Sequence, residues 1–192
     1  MKPSKQTKER SAGITRPELT TPAAKVAFTG ILAALALALA ALENLIPPIP
    51  LLPPGAKLGL SNIASMYAAQ AVGLFPALCI ALIKGLFAGV TRGITAMLMS
   101  LSGGICSTFL MWVFLRRDKP VFGWCGIGVI GSLTHNAAQL CVAALLTFPA
   151  VAFYIPWLII FGVLSGILTG FVLRAILPLL NTIPLPQNRQ KP

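Results

Sequence analysis

The chain is poor in acid. Its 192 residues include four acidic side chains, Glu9, Glu18, Glu43 and Asp118, and one histidine, His135. Charged residues make up 10% of it, where a soluble domain carries about 25%. A chain with so little charge cannot cover itself with a solvated surface, which excludes a soluble enzyme and a disordered tail. No CxxC pair occurs, so neither a zinc site nor a redox pair is indicated, and the scattered Cys79, Cys106, Cys125 and Cys141 read as small buried hydrophobes. No Walker A motif occurs, so any ATP energy must come from a partner. Ser, Cys and His form no nucleophile–base pattern that the sequence makes recognisable.

What the chain does have is apolar length. It is 56% hydrophobic with a mean hydropathy of +0.85, and the apolar residues fall in long runs. That composition belongs to an integral membrane protein of one compact domain. The lipid bilayer is therefore its first partner. A pI near 10.2 would also suit a nucleic-acid binder. Here, however, the bases flank apolar runs rather than gathering on one solvated face, so no nucleic acid partner is expected.

Residues 1–22 are polar, contain Pro3, Pro17 and Pro22, and read as a flexible basic cytoplasmic tail. The first apolar run, Ala23 to Ile46, is longer than a signal-peptide core and is followed by more spans, so it is expected to stay as a helix. It ends in Pro47, Pro48, Pro50, Pro53 and Pro54, which cannot be helical. The following runs are Lys57–Val72, Phe75–Val90, Ile94–Leu115, Gly123–Thr147 and Val151–Leu180. Breaks fall at Gly73, at Thr91–Gly93, at Arg116–Pro120 and at Phe148–Pro149. The sequence thus predicts an all-α bundle of six transmembrane helices over 23–180, with a second cytoplasmic tail at 181–192.

Basic residues orient it. The N-terminal tail, the Arg116–Lys119 turn and the C-terminal tail are the basic loops, which places both termini in the cytoplasm. An even number of spans then follows. Runs two and three hold ~16 residues each, or ~24 Å against a ~30 Å hydrocarbon core, so a re-entrant pair with four true spans also satisfies the parity. Tyr154 and Trp157 read as interfacial anchors.

Small residues recur at every fourth position: Gly30, Ala34 and Ala38 in the first run, Gly85, Gly89 and Gly93 in the third, Gly162, Gly166 and Gly170 in the last. Such stripes let helix backbones approach closely in lipid. They pack the bundle internally, or one of them docks a partner. The Ala-rich first helix, with Gly30, Ala34 and Ala38, is the best docking candidate.

Ionisable groups inside a bilayer cost ~2.5–3.5 kcal/mol each on insertion scales, so each suggests function. In the orientation above, Glu43 and Asn44, then Lys57, Ser61 and Asn62, then Lys84 and Arg92, and finally His135, Asn136 and Gln139 converge on the outer half of the bundle. His135 and Gln139 share a helix face. Lys57, Lys84 and Arg92 outnumber Glu43 in this layer, which favours a small anion, a phosphate or a carboxylate. Each group also has a plainer role. Lys57 and Arg92 can snorkel to the surface, Lys84 can pair with Glu43, and His135 can be a satisfied core histidine.

The stretches GAKLGLSNIASM (55–66), ALIKGLFAG (81–89), SLSGG (100–104) and THNAAQL (134–140) resemble the bacterial Gx transporter family. Many of its members carry the label heptaprenyl diphosphate synthase component I. The resemblance covers about residues 25–180. That family is similar to the substrate-binding S components of energy-coupling factor (ECF) transporters, six-helix proteins of the cytoplasmic membrane. Taken with the charge layer above, the resemblance leads to the expectation of capture of a small anionic or phosphorylated substrate from outside, with Lys84 and Arg92 on the anion, Lys57 and Asn62 at the entrance, and His135, Asn136 and Gln139 on the polar part. It also implies docking through Gly30, Ala34 and Ala38 onto a transmembrane T subunit bearing two ATPases. The other label implies an accessory subunit of a soluble prenyl synthase. Such synthases hold magnesium diphosphate through paired aspartate-rich motifs. This chain has a single aspartate and no DDxxD, so it is expected to be no catalytic subunit and to carry no cofactor or metal.

Overall fold

The structure is a computed structural model that describes residues 21–45, 59–116, 122–147 and 153–182, with side chains through Pro178. Six helices and no strands occur among the described residues. They are α1 (Pro22–Leu45), α2 (Asn62–Ala71), α3 (Leu74–Arg92), α4 (Ile94–Leu115), α5 (Trp124–Thr147) and α6 (Ile155–Thr182). Residues 1–20, the proline cluster with Lys57, and 183–192 lie outside the described residues.

Local chemistry sets the boundaries. The Thr21 hydroxyl accepts the Ala24 N–H at 3.2 Å, and Pro22 takes the first helical position, where its missing N–H costs nothing. Gly73, at φ 122°, separates α2 from α3, and Gly93, at φ 90°, separates α3 from α4. Both values lie where side chains with a Cβ are strained. These are two of the breaks the sequence predicts.

Five helices, α1 and α3 to α6, are long and apolar enough to cross a membrane. The second run departs from expectation. Its helix begins at Asn62, not Lys57, and has 10 residues, so it rises ~15 Å, about half of a ~30 Å core. Gly59, at φ 79°, stands just before it and is incompatible with continuing the helix upstream. The third run is longer than predicted, at 19 residues, or ~28 Å. A pair of matching half-helices is therefore not what α2 and α3 form.

The short helix is the centre of the molecule. Residues 62–69 of α2 are all buried, and α1, α3, α4 and α6 pack around it. Met66, Ile80, Met111 and Leu173 fill the core between these helices. A half-length helix cannot satisfy a lipid environment at its ends, so it must be enclosed by protein, and it is. Outward, the bundle presents large apolar side chains such as Val26, Ile31, Phe75, Leu145, Phe153 and Phe171. That surface suits lipid rather than water.

The glycine stripes divide into two kinds. A methyl on Gly166 or Gly170 would strike the backbone of Val129 or Cys125, so α5 and α6 touch backbone to backbone. Gly85 and Gly89 receive the side chains of Leu101 and Met97 from α4. Those stripes pack the bundle. Gly30, Ala34 and Ala38 instead lie on the exposed side of α1, whose buried residues are Leu32, Ala33, Ala36, Ala40 and Glu43. Two further expectations change. Cys106 and Cys141 are exposed rather than buried. Tyr154 is partly buried against Met99 and Ala143, while Trp157 is exposed.

Candidate functional site

A polar cleft opens where the C-terminal ends of α1 and α3 meet the N-terminal ends of α2 and α4 beside the middle of α5. Glu43, Asn62, Lys84, Arg92, His135 and Gln139 line it. The apolar runs deliver these groups to one place because their helices converge there, with Lys84 deep in the cleft and Arg92 about two turns further out at the rim.

Lys84 stands midway along α3 and is 7% exposed. Its Nζ donates to Asn62 Oδ1 at 2.8 Å. Asn62 is the first residue of α2, so the half-helix exists with its polar end turned toward this cation. Glu43, 5% exposed, accepts the backbone N–H of Leu60 and ties the end of α1 to the start of α2. It also lies within Coulombic range of Arg92, which sits exposed at the rim.

On the far wall, the Gln139 amide and His135 Nε2 lie 3.0 Å apart, one turn along α5. The imidazole lies flat against Gly103 of α4, where an added Cβ would come within 2.8 Å of the ring. Gly103 therefore belongs to the site through the room it leaves. Lys84 stands within Coulombic range of the imidazole. Among the described lining residues two cations face one carboxylate, a net charge of +1. The sequence estimate was higher because it included Lys57, which lies outside the described residues.

The sequence reading maps onto the cleft unevenly. Asn62, Lys84, Arg92, His135 and Gln139 come together there. Asn136 does not line it: its Nδ2 donates to the Leu158 carbonyl at 3.0 Å and braces α5 against α6. One residue along a helix turns ~100°, and here that turn carries Asn136 from the cleft side of α5 to the side packed on α6. Ser61, Thr91 and Ser100 also line the cleft and were not singled out as binding residues. Hydroxyls in helices commonly bond back to their own backbone, so their identity alone signals nothing.

The interior of the cleft measures about 40 Å³, room for a few water-sized groups. It admits a compact charged head group, and the remainder of any larger molecule would lie beyond it. Among the described residues no group of three His, Cys, Asp or Glu side chains is placed to hold a metal ion.

Three other buried hydroxyls, on α2, α4 and α6, stand apart from the cleft lining. The buried hydroxyls of Ser65, Thr108 and Thr169, each 1% exposed, have no hydrogen-bond partner among the described residues. Elsewhere in this chain such groups bond back to the helix, as Thr91 does to Phe87, Thr134 to Ile130 and Ser107 to Gly104.

The family model described as heptaprenyl diphosphate synthase component I matches residues 32–176, a stretch that includes every residue lining the cleft. No curated protein and no solved structure matches the chain.

Proposed function

The chain belongs to the heptaprenyl diphosphate synthase component I family, and from that premise we propose that it is an S-component-like, substrate-binding membrane subunit of an ECF-type transporter of the Gx family. It captures a small anionic or phosphorylated substrate from the outer side of a bacterial cytoplasmic membrane. It is not itself an enzyme.

One observation carries this reading. Lys84 is a buried cation in the middle of a membrane-length helix, and it faces a cleft with Arg92, Asn62, His135 and Gln139 around it. Removing a lysine from water at that depth is costly, and a snorkelling role does not explain a side chain held inward by Asn62. A cleft with net positive charge and several oriented donors suits a phosphate or carboxylate. Lys84 and Arg92 bind the anion; Asn62 and Gln139 orient it, with His135 beside them; Lys57 is assigned to the entrance, and Gly103 leaves room for the imidazole. The exposed Gly30–Ala34–Ala38 face of α1 docks a transmembrane T subunit bearing two ATPases. Both termini lie in the cytoplasm. In support, the described cations remote from the cleft lie toward the opposite side: Lys25 in the first turn of α1, Arg116 at the end of α4 and Arg174 in the second half of α6.

The family's description supports a second reading: a non-catalytic membrane accessory subunit of a soluble prenyl synthase in isoprenoid or quinone biosynthesis. A thermal-shift screen of the purified full chain separates the two. The test set is phosphorylated vitamins, flavins and prenyl diphosphates. Capture predicts stabilisation by one phosphorylated compound, near ~2.7 kcal/mol at a hundredfold excess over Kd. The accessory reading predicts no shift with vitamins or flavins, co-purification of a soluble prenyl synthase, and altered quinone chain length on deletion.

A further inference from the structure

A larger cavity lies at the end of the bundle opposite the cleft. It measures about 210 Å³ and sits between the α2–α3 junction and the last turn of α4. Gln70, Gly73, Trp112, Leu115 and Arg116 are among its walls. The space holds on the order of ten or more water-sized groups, so a tetrahedral anion fits without rearrangement.

Among the described residues one charged side chain lines the cavity. The C-terminal dipole of α2 and the N-terminal dipole of α3 meet at Gly73 and largely offset one another. Arg116 remains. Its guanidinium stacks over the Trp112 ring at 5.1 Å from the centroid, and its backbone N–H closes α4 on the Trp112 carbonyl at 2.9 Å. The indole face favours a cation above it, and a guanidinium carries N–H donors suited to a bidentate acceptor. No described carboxylate stands at this end; the one described acid, Glu43, lies in the cleft. The Gln70 amide faces the same space from α2. A guanidinium, an amide and an interfacial tryptophan around a roomy pocket form a receptor for phosphoryl oxygens.

We propose that the cavity around Gln70, Trp112 and Arg116 is a second anion site, which binds a phosphate-bearing group independently of the Lys84 cleft. The phosphate comes from a lipid head group or from a soluble phosphate compound, and the chemistry of recognition is the same.

The test uses the purified full chain in neutral detergent. Thermal unfolding is followed with inorganic phosphate, with inorganic diphosphate, with phosphatidylglycerol and with phosphatidylcholine, against sodium chloride at matched ionic strength. The expected result is a midpoint rise with at least one phosphate anion beyond the chloride control. In the Lys84→Ala background, where the cleft no longer competes for the anion, the rise persists, and adding Arg116→Gln lowers the apparent affinity at least tenfold. Arg116 is exposed, so the variant is expected to fold; Gln70→Leu, which spares the Arg116–Trp112 stack, gives a second reading and weakens binding in the same direction. A response to phosphatidylglycerol alone assigns the site to a head group, and a response to phosphate or diphosphate alone assigns it to a soluble compound. The proposal is overturned if no phosphate anion exceeds chloride, or if Arg116→Gln and Gln70→Leu retain the full shift in that background. Loss of the shift in Lys84→Ala would also overturn it, because the anion would then be in the cleft. A ligand screen that fails at the cleft leaves this result readable.

Discussion

Lys84 and Thr108 illustrate two ways in which a buried polar group behaves in this bundle. Lys84 has a partner in Asn62, whereas Ser65, Thr108 and Thr169 have none among the described residues. An unpaired buried hydroxyl costs stability, and an apolar group of the same shape removes the cost. Thr108→Val and Thr169→Val are therefore expected to leave stability unchanged or to raise it by up to about 1 kcal/mol. Chemical denaturation in micelles checks this; a loss of more than about 1 kcal/mol would mean that the hydroxyl is bonded in the folded protein. The ionisable and amide side chains were legible in the sequence, because Lys84, His135 and Gln139 interrupt apolar runs and each must justify its burial. Asn136 was misread since adjacency in sequence is not a shared face. Ser100 carries no such signal because serine is ordinary in a helix, and Gly103 none because the space a glycine leaves depends on its neighbour.

At the scale of elements, the apolar runs located the helices to within a few residues wherever glycine or a polar turn closed them. The exception was α2, where the stretch from Lys57 reads as apolar helix but Gly59 lies at positive φ and Asn62 starts the helix. Nothing in hydropathy reports which short run will be enclosed by its neighbours. The glycine stripes were likewise visible as a spacing, but whether a stripe faces inward depends on packing. The α6 stripe is internal, so Gly166→Leu, which would strike the backbone of Val129, is expected to destabilise by at least ~1–3 kcal/mol and to lower the yield of folded protein. The α1 stripe is exposed. Replacing Ala34 and Ala38 with Leu should leave the isolated chain as stable as before yet abolish co-purification with a T subunit. Persistence of that complex would remove the docking assignment.

The whole molecule is a bundle with two polar ends of different character. Around the cleft, Lys84 and Arg92 are set against Glu43 and oriented by amides. At the other end a larger cavity is governed by Arg116 alone among described charges. Between them α2 lies buried, with membrane-length helices around it and an apolar exterior. Such an arrangement concentrates its chemistry at the half-helix, where backbone ends and polar side chains are shielded from lipid. The central claim is that the Lys84 cleft holds an anion. Equilibrium binding to the full-length protein tests it most directly, with the phosphorylated vitamin, flavin or prenyl diphosphate that stabilises it most as probe. Lys84→Ala should insert and fold normally while its Kd rises tenfold or more, about 1.4 kcal/mol. Undiminished binding by that variant, or no stabilisation by any compound of the set, would contradict the account.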